Sequence, residues 1–362
     1  MREPNKLALL TPIKMNQERK IEKSEDNRAY SVALGLGLAV GMIPLRRWIR
    51  GGQFTEKVCA RGKVAVVTGG NAGIGKETVR GLNLAGAKVY MLCRSEERAN
   101  EAMRALEKMN CDADRLIFVK CDLSNFKSVR ECAKRLGTAE NRIDVLINNA
   151  GMIYPQHELT LDGHEMTWQT NHLGPFLLTE LLLPQMKKSS DGRIVNVSSN
   201  VQPSTLNLDT INNHHGYSYV AAYARSKLAN AMHSRELARR MEEKGSKITV
   251  NSLHPGTCVT EIGKNIWVNS IVPFMRPVLE FFFKTERDGA QTSLHLALST
   301  TVKGENCQRV PEKSSVSLDV LACEQLYEYS LSAVGLSCRT RLPYAEMVDD
   351  TARWATTDPV YL

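Results

Sequence analysis

Tyr223 and Lys227 stand four residues apart in AAYARSKLANAM, residues 221–232. The flanking residues predict one long helix over 220–243. Four residues is about one helical turn, so the phenol and the ammonium share a face. A phenol has a pKa of about 10, too high for a good proton shuttle at neutral pH, and a nearby ammonium lowers it by favouring the phenolate. Just upstream, RIVNVS ends at Ser198 and is followed by Ser199. Side chains at a strand end alternate in direction, so one of the two hydroxyls faces the cleft. Ser199 in that position could hydrogen-bond a carbonyl while Tyr223 gives it a proton as hydride arrives. A lone Tyr–Lys pair at this spacing is an ordinary helix surface pair, so its neighbours decide its meaning.

The neighbours include TGGNAGIG, residues 68–75, where a first strand turns into a first helix. Its glycines, Gly69, Gly70, Gly73 and Gly75, let the backbone turn tightly and approach a pyrophosphate resting on the helix N-terminus. A dinucleotide is therefore the expected cofactor. A carboxylate at the end of the second strand would bind the ribose 2′-hydroxyl of NAD; this chain has Cys93 and Arg94 there. A guanidinium pairs with a 2′-phosphate, and Lys76 adds charge, so NADP(H) is expected. Asp122 and Leu123 end the third strand, and NNAG, residues 148–151, ends the fourth. Both lie where ligands bind in open α/β sheets, although each alone could be turn chemistry.

Positioning these residues falls to a regular alternation. KVAVVT, AKVYMLC, RLIFVKC, RIDVLI, RIVNVS and KITVNSL read as strands, separated by helical patterns over 76–85, 95–109, 124–137, 170–188 and 220–243. That pattern predicts an α/β fold, a doubly wound, Rossmann-like parallel sheet in one catalytic domain over 60–335. Residues 266–284 are apolar and aromatic with interrupting prolines. Within 257–285 they could form a substrate lid, face a membrane or pack in the core. A last helix is expected over 319–334, and 336–362 reads as a loose tail.

The chain has 362 residues, 43% of them apolar, and a formal net charge of +8. No arginine-rich arm or aromatic-studded basic stripe is present, so no nucleic-acid partner is expected. Nine cysteines without a C-x-x-C pair argue against a disulfide framework or a metal site. Residues 1–28 are polar and read as a disordered extension. Residues 29–45 carry no charge and are closed by Arg46, Arg47 and Arg50. They sit at the short limit for a membrane span, so 29–50 is expected to be an anchor with a basic flank. The expected location is the endoplasmic reticulum with the domain facing the cytosol; a mitochondrial membrane is the alternative. Self-association is compatible with the sequence.

The ordered set T-G-x-x-x-G-I-G, N-N-A-G, Asn171, Ser199, Y-x-x-x-K and HPG resembles the short-chain dehydrogenase/reductase family over about residues 60–300. The resemblance implies a seven-stranded sheet and a catalytic tetrad of Asn171, Ser199, Tyr223 and Lys227. In it Tyr is the acid/base, Ser orients the carbonyl, Lys lowers the Tyr pKa and binds ribose, and Asn supports a water-linked relay. The implied cofactor contacts are Gly69, Asn71, Gly73, Ile74, Gly75 and Lys76 in the first turn, then Arg94, Asp122 and Leu123. Asn149, Ala150 and Gly151 follow, with Tyr223 and Lys227, and Pro255, Gly256 and Thr260 flank the nicotinamide. MLCRS, TNHLGPFLLTELLLP, AYARSKLAN and VNSLHPGTCVTEIG resemble the retinol dehydrogenase branch. That branch implies NADP(H), a membrane anchor and a lipophilic aldehyde or alcohol as substrate, retinal first. Steroids or other lipid-derived carbonyls are the second choice, and a non-catalytic NADPH sensor the third. VKGENCQRV, residues 302–310, departs from the branch where a seventh strand is expected.

Overall fold

The computed structural model describes residues 41–203, 206–258, 280–302 and 319–336. The chain divides into two compact units between Gly51 and Gly52. In the first, residues 41–50 are helical, with Ile43 and Trp48 exposed. Residues 29–40 of the expected anchor lie outside the described residues. Among the described residues, no helix is long and apolar enough to cross a membrane.

In the second unit, strands and helices alternate as the periodicity predicts: β1 Val64–Thr68, α1 Gly73–Leu84, β2 Lys88–Cys93, α2 Glu96–Glu107, β3 Leu116–Lys120, α3 Phe126–Ala139 and β4 Val145–Asn148. Then come α4 Gly174–Met186, β5 Arg193–Val197, α5 Tyr219–Glu243, β6 Thr249–Leu253, α6 Glu286–Leu298 and α7 Val320–Ala333. The sheet is parallel throughout, in the order β3-β2-β1-β4-β5-β6. Strand order reverses between β1 and β4, which opens a crevice at their C-terminal ends. The described residues give six strands. The seventh that the family resemblance implies would fall beyond residue 302, outside the described residues up to 318.

The strands bury both faces. Ala65, Val67, Val89, Met91, Ile147 and Val195 face one core with α1, α2 and α6. Val66, Tyr90, Leu146 and Ile194 face the other, with α3, α4, α5 and α7. The period-2 alternation thus divides each strand between two helical layers. Each buried Val, Leu or Ile contributes about 1.5–3 kcal/mol of transfer free energy.

Two elements differ from the sequence expectation. The helix over 170–188 begins instead with a short turn, Met166–Trp168, and a π-helical turn, Gln169–Leu173, before α4. The helix α6 was not anticipated. Its start carries a capping box: Thr285 accepts from the Asp288 N–H while the Asp288 carboxylate accepts from the Thr285 N–H. Its far end is held by Arg193, a buried cation on β5 that donates to the Leu296 and Ser299 carbonyls at 3.2 and 3.1 Å. That places positive charge at the negative end of the helix dipole.

Candidate active site

The turn from β1 into α1 requires glycine for steric reasons. Gly69 and Gly73 take φ of +65° and +56°. A Cβ on Gly75 would lie 2.2 Å from the Gly69 carbonyl oxygen and 2.5 Å from Asn149 Nδ2. Around Gly73 a Cβ would meet nothing within 4 Å, so the backbone at the α1 N-terminus is open to a ligand. The cradle therefore fits a pyrophosphate. Thr68 ties it to the end of β4: its hydroxyl accepts from the Asn149 and Ala150 N–H groups at 3.0 and 2.9 Å. The Asn149 side chain donates to the Thr68 carbonyl at 3.0 Å, so it braces this turn.

The remaining expected cofactor residues lie around the same strand ends. Asn71 stands within the turn, and Lys76 closes the first turn of α1 through its N–H to the Ala72 carbonyl, 3.1 Å away. Ile74 packs against Gly289 of α6, where a Cβ would come within 3.0 Å of it. Arg94, just past β2, is exposed and makes no hydrogen bond or ion pair among the described residues. Asp122 Oδ1 accepts from the Ser124 N–H and hydroxyl at 3.0 and 2.6 Å. Leu123 is buried beneath the start of α4, against Gly174. Past Pro255, Gly256 takes φ +92° with the Lys284 side chain over it. Thr260 lies outside the described residues.

The four candidate catalytic residues come from three elements. Asn171 is buried in the π-helical turn. Its side chain accepts from the Met152 N–H at 2.8 Å and donates to the Met152 carbonyl at 2.9 Å and to Ser226 Oγ at 3.1 Å. Lys227 is buried on α5, and its ammonium donates to the Val197 carbonyl at 2.9 Å. A Cβ on Gly151 would lie 3.2 Å from Lys227 Nζ and 3.6 Å from Asn171 Oδ1. NNAG thus joins the glycine-rich turn to the Lys227 end of the cleft. Ser199 lies close enough to the Tyr223 phenol to draw its pKa down, whereas the Ser198 hydroxyl donates to the Lys227 carbonyl at 2.6 Å. One serine faces Tyr223 and the other braces β5 on α5, as strand alternation predicts.

The electrostatics differ from the simple expectation. Burial pushes the Tyr223 phenol above its ordinary range, and Ser199 pulls it back down. The Lys227 ammonium lies 5.5 Å from the Tyr223 ring centroid. The same burial brings Lys227 down to about 8. The arrangement places a hydroxyl, a phenol and an ammonium in sequence beside an open glycine cradle. It can hydrogen-bond a carbonyl oxygen and move a proton to it. Three residues that the sequence reading passed over hold this geometry: Thr68, Ser226 and Asn230.

Comparison with known proteins agrees with this geometry. The family model for short chain dehydrogenases matches residues 63–270. Retinol dehydrogenase 14 of Mus musculus is 39% identical over 291 residues, covering 76% of this chain and 86% of its own. Retinol dehydrogenase 11 of Homo sapiens is 42% identical over 256 residues, covering 70% and 79%. The chloroplastic short-chain dehydrogenase TIC 32 B of Brassica napus is 35% identical over 297 residues, covering 78% and 92%. Among solved structures, the Pseudomonas aeruginosa RhlG/NADP active-site complex matches with a TM-score of 0.55 at 25% identity, covering 69% of this chain and 96% of that one. The chain belongs to the short-chain dehydrogenase/reductase family of NAD(P)(H)-using oxidoreductases and is retinol dehydrogenase-like.

Proposed function

We propose that the protein transfers a hydride between NADP(H) and a lipophilic aldehyde or alcohol, with retinal and retinol as the first pair to test. The observation that carries this reading is the meeting of Ser199, Tyr223 and Lys227 beside the glycine-rich turn. When bound, the dinucleotide would supply the hydride. Gly69, Gly73 and Gly75 would hold its pyrophosphate, with Asn71, Ile74, Asn149 and Ala150 lining the turn. The free guanidinium of Arg94, helped by Lys76, would take the 2′-phosphate; no carboxylate follows β2 to repel it until Glu96. Asp122 would meet the adenine end, and Pro255, Gly256 and Thr260 the nicotinamide end.

In this reading Ser199 donates a hydrogen bond to the substrate carbonyl and Tyr223 delivers the proton to its oxygen. Lys227 supplies positive charge at Gly151, and Asn171 fixes the Met152 backbone beside it. Two observations support a lipophilic substrate. The retinol dehydrogenases are among the relatives, and Phe282 and Phe283 remain 56% and 38% exposed beside Lys284, which covers Gly256. We also place the protein on a membrane through residues 29–45, at the endoplasmic reticulum with the domain facing the cytosol.

The test is product formation from all-trans-retinal by full-length protein with NADPH and NADH in parallel. The expected result is retinol, formed at least tenfold faster at low cofactor concentration with NADPH. Equal rates would remove the Arg94 assignment. Turnover of a ketosteroid or an aliphatic aldehyde but not retinal would move the substrate within the same chemistry. Tight NADPH binding with no turnover of any carbonyl would favour a sensor.

A further inference from the structure

We propose that Asn230 is a positioning residue for the proton-transfer site, holding the π-helical turn to α5 with His172 and Ser330 of α7 buried behind it. The inference rests on reading Asn171, Ser199, Tyr223 and Lys227 as that site. Asn230 lies on α5, one turn beyond Lys227, and its amide donates to the Asn171 main-chain carbonyl at 3.0 Å. It therefore ties the helix bearing Tyr223 and Lys227 to the π-helical turn bearing Asn171. Such widened turns recur at functional sites, where their backbone groups need partners from outside the helix.

The orientation of the Asn230 amide follows from donor counting. The Asn171 carbonyl accepts only, so Asn230 must present its NH₂ group there and turn Oδ1 the other way. Asn230 Oδ1 faces His172 Nδ1 at 3.4 Å. Burial keeps His172 neutral, bringing it down to about 4. Nε2 faces Ser330 Oγ of α7 at 2.9 Å. The Ser330 hydroxyl donates its single proton to the Leu326 carbonyl at 2.7 Å, so its oxygen accepts from His172 Nε2–H. His172 and Ser330 are fully buried and Asn230 nearly so, which makes a broken link costly. Lys227 stands one turn back on α5, and the His233 ring lies 6.2 Å from the His172 ring and is kept neutral by burial.

The experiment compares Asn230→Leu, Asn230→Asp and Tyr223→Phe with wild type in full-length protein. kcat is followed from pH 5 to 9 with whichever of all-trans-retinal, nonanal or a 3-ketosteroid the wild type reduces fastest. NADPH affinity and melting temperature are measured alongside. Asn230→Leu removes the donor and should lower kcat at least tenfold at every pH, with NADPH affinity within threefold of wild type. Asn230→Asp has the same size. Its protonated carboxyl can donate to the Asn171 carbonyl and its ionised form cannot. It should work near the wild-type rate in acid and lose activity through a new ionisation, above the ordinary carboxylate range because the site is buried. A residue that merely filled space would shift melting temperature without tying kcat to carboxyl protonation. Should Asn230→Leu fail to fold, the Asn230→Asp profile decides alone. Wild-type kcat profiles in both Asn230 variants, with Tyr223→Phe inactive, would overturn this inference and leave the site reading intact. Turnover by Tyr223→Phe, or none by wild type, would overturn both.

Discussion

Lys227 shows most directly how burial sets the chemistry of single residues. Among the described residues its ammonium has one acceptor, the Val197 carbonyl, and burial brings it down to about 8. The free protein carries this charge below that pH and loses it above. Carbonyl reduction, read as kcat/KM, should therefore fall as pH rises through about 8. A rate that stays flat to pH 10 would show that the charge of Lys227 does not serve the reaction. Tyr223 and Lys227 were legible from their helical spacing; strand alternation said that one of Ser198 and Ser199 faces the cleft, and the family resemblance pointed to Ser199. The pull of Ser199 on the phenol, and the desolvation that raises it, were not. Both depend on how deeply α5 sinks against β5, which spacing does not encode.

At the scale of elements, the β1–α1 turn and the α4–α5–α7 layer make different demands. In the turn, a Cβ at Gly75 would sit 2.2 Å from the Gly69 carbonyl oxygen, and no flexible side chain can yield there. Gly75→Ala should weaken NADPH binding at least tenfold, measured by fluorescence titration, while the sheet still folds. Unchanged affinity would mean that the cradle does not hold the dinucleotide. In the helical layer, Glu180 of α4 accepts from the Tyr327 hydroxyl of α7 at 2.7 Å. Burial pushes its carboxyl up to about 7, against the opposing pull of Tyr327, Arg240, Lys244 and Lys187. The unfolded carboxyl titrates at its ordinary 4.5. The folded state thus binds the proton more tightly, and stability declines as pH rises from about 4.5 to 7. Glu180→Gln keeps the acceptor and removes the charge. It should stabilise the protein by about 1–2 kcal/mol at pH 8 and change little at pH 4. Equal stability at pH 8 would contradict this account.

The elements also mark where sequence reading stopped. Six strands and most helices followed from apolar alternation, because period 2 and period 3.6 survive in a doubly wound sheet. The π-helical turn did not, since its widening at Asn171 comes from side-chain bonds to Met152 and Ser226 across the fold. For α6 a local signal existed in the capping-box pair Thr285 and Asp288. Its apolar positions Ala290, Leu294 and Ala297 were overshadowed by the aromatic run just before them. The helix matters because Gly289 and Leu294 pack on Ile74 and Gly81 of α1, fixing the cradle from behind.

At the scale of the whole molecule, the second unit joins a nucleotide cradle, a proton-transfer cluster and a supporting helical layer on one parallel sheet. Membership of the short-chain dehydrogenase/reductase family accounts for that union. The most direct measurement is NADPH oxidation with all-trans-retinal by wild type and Tyr223→Phe, with NADPH affinity measured on both. The account predicts retinol from the wild type, a loss of at least a thousandfold in kcat in the variant, and NADPH affinity within threefold. Substantial turnover by Tyr223→Phe would contradict it, because the proton would then come from another group.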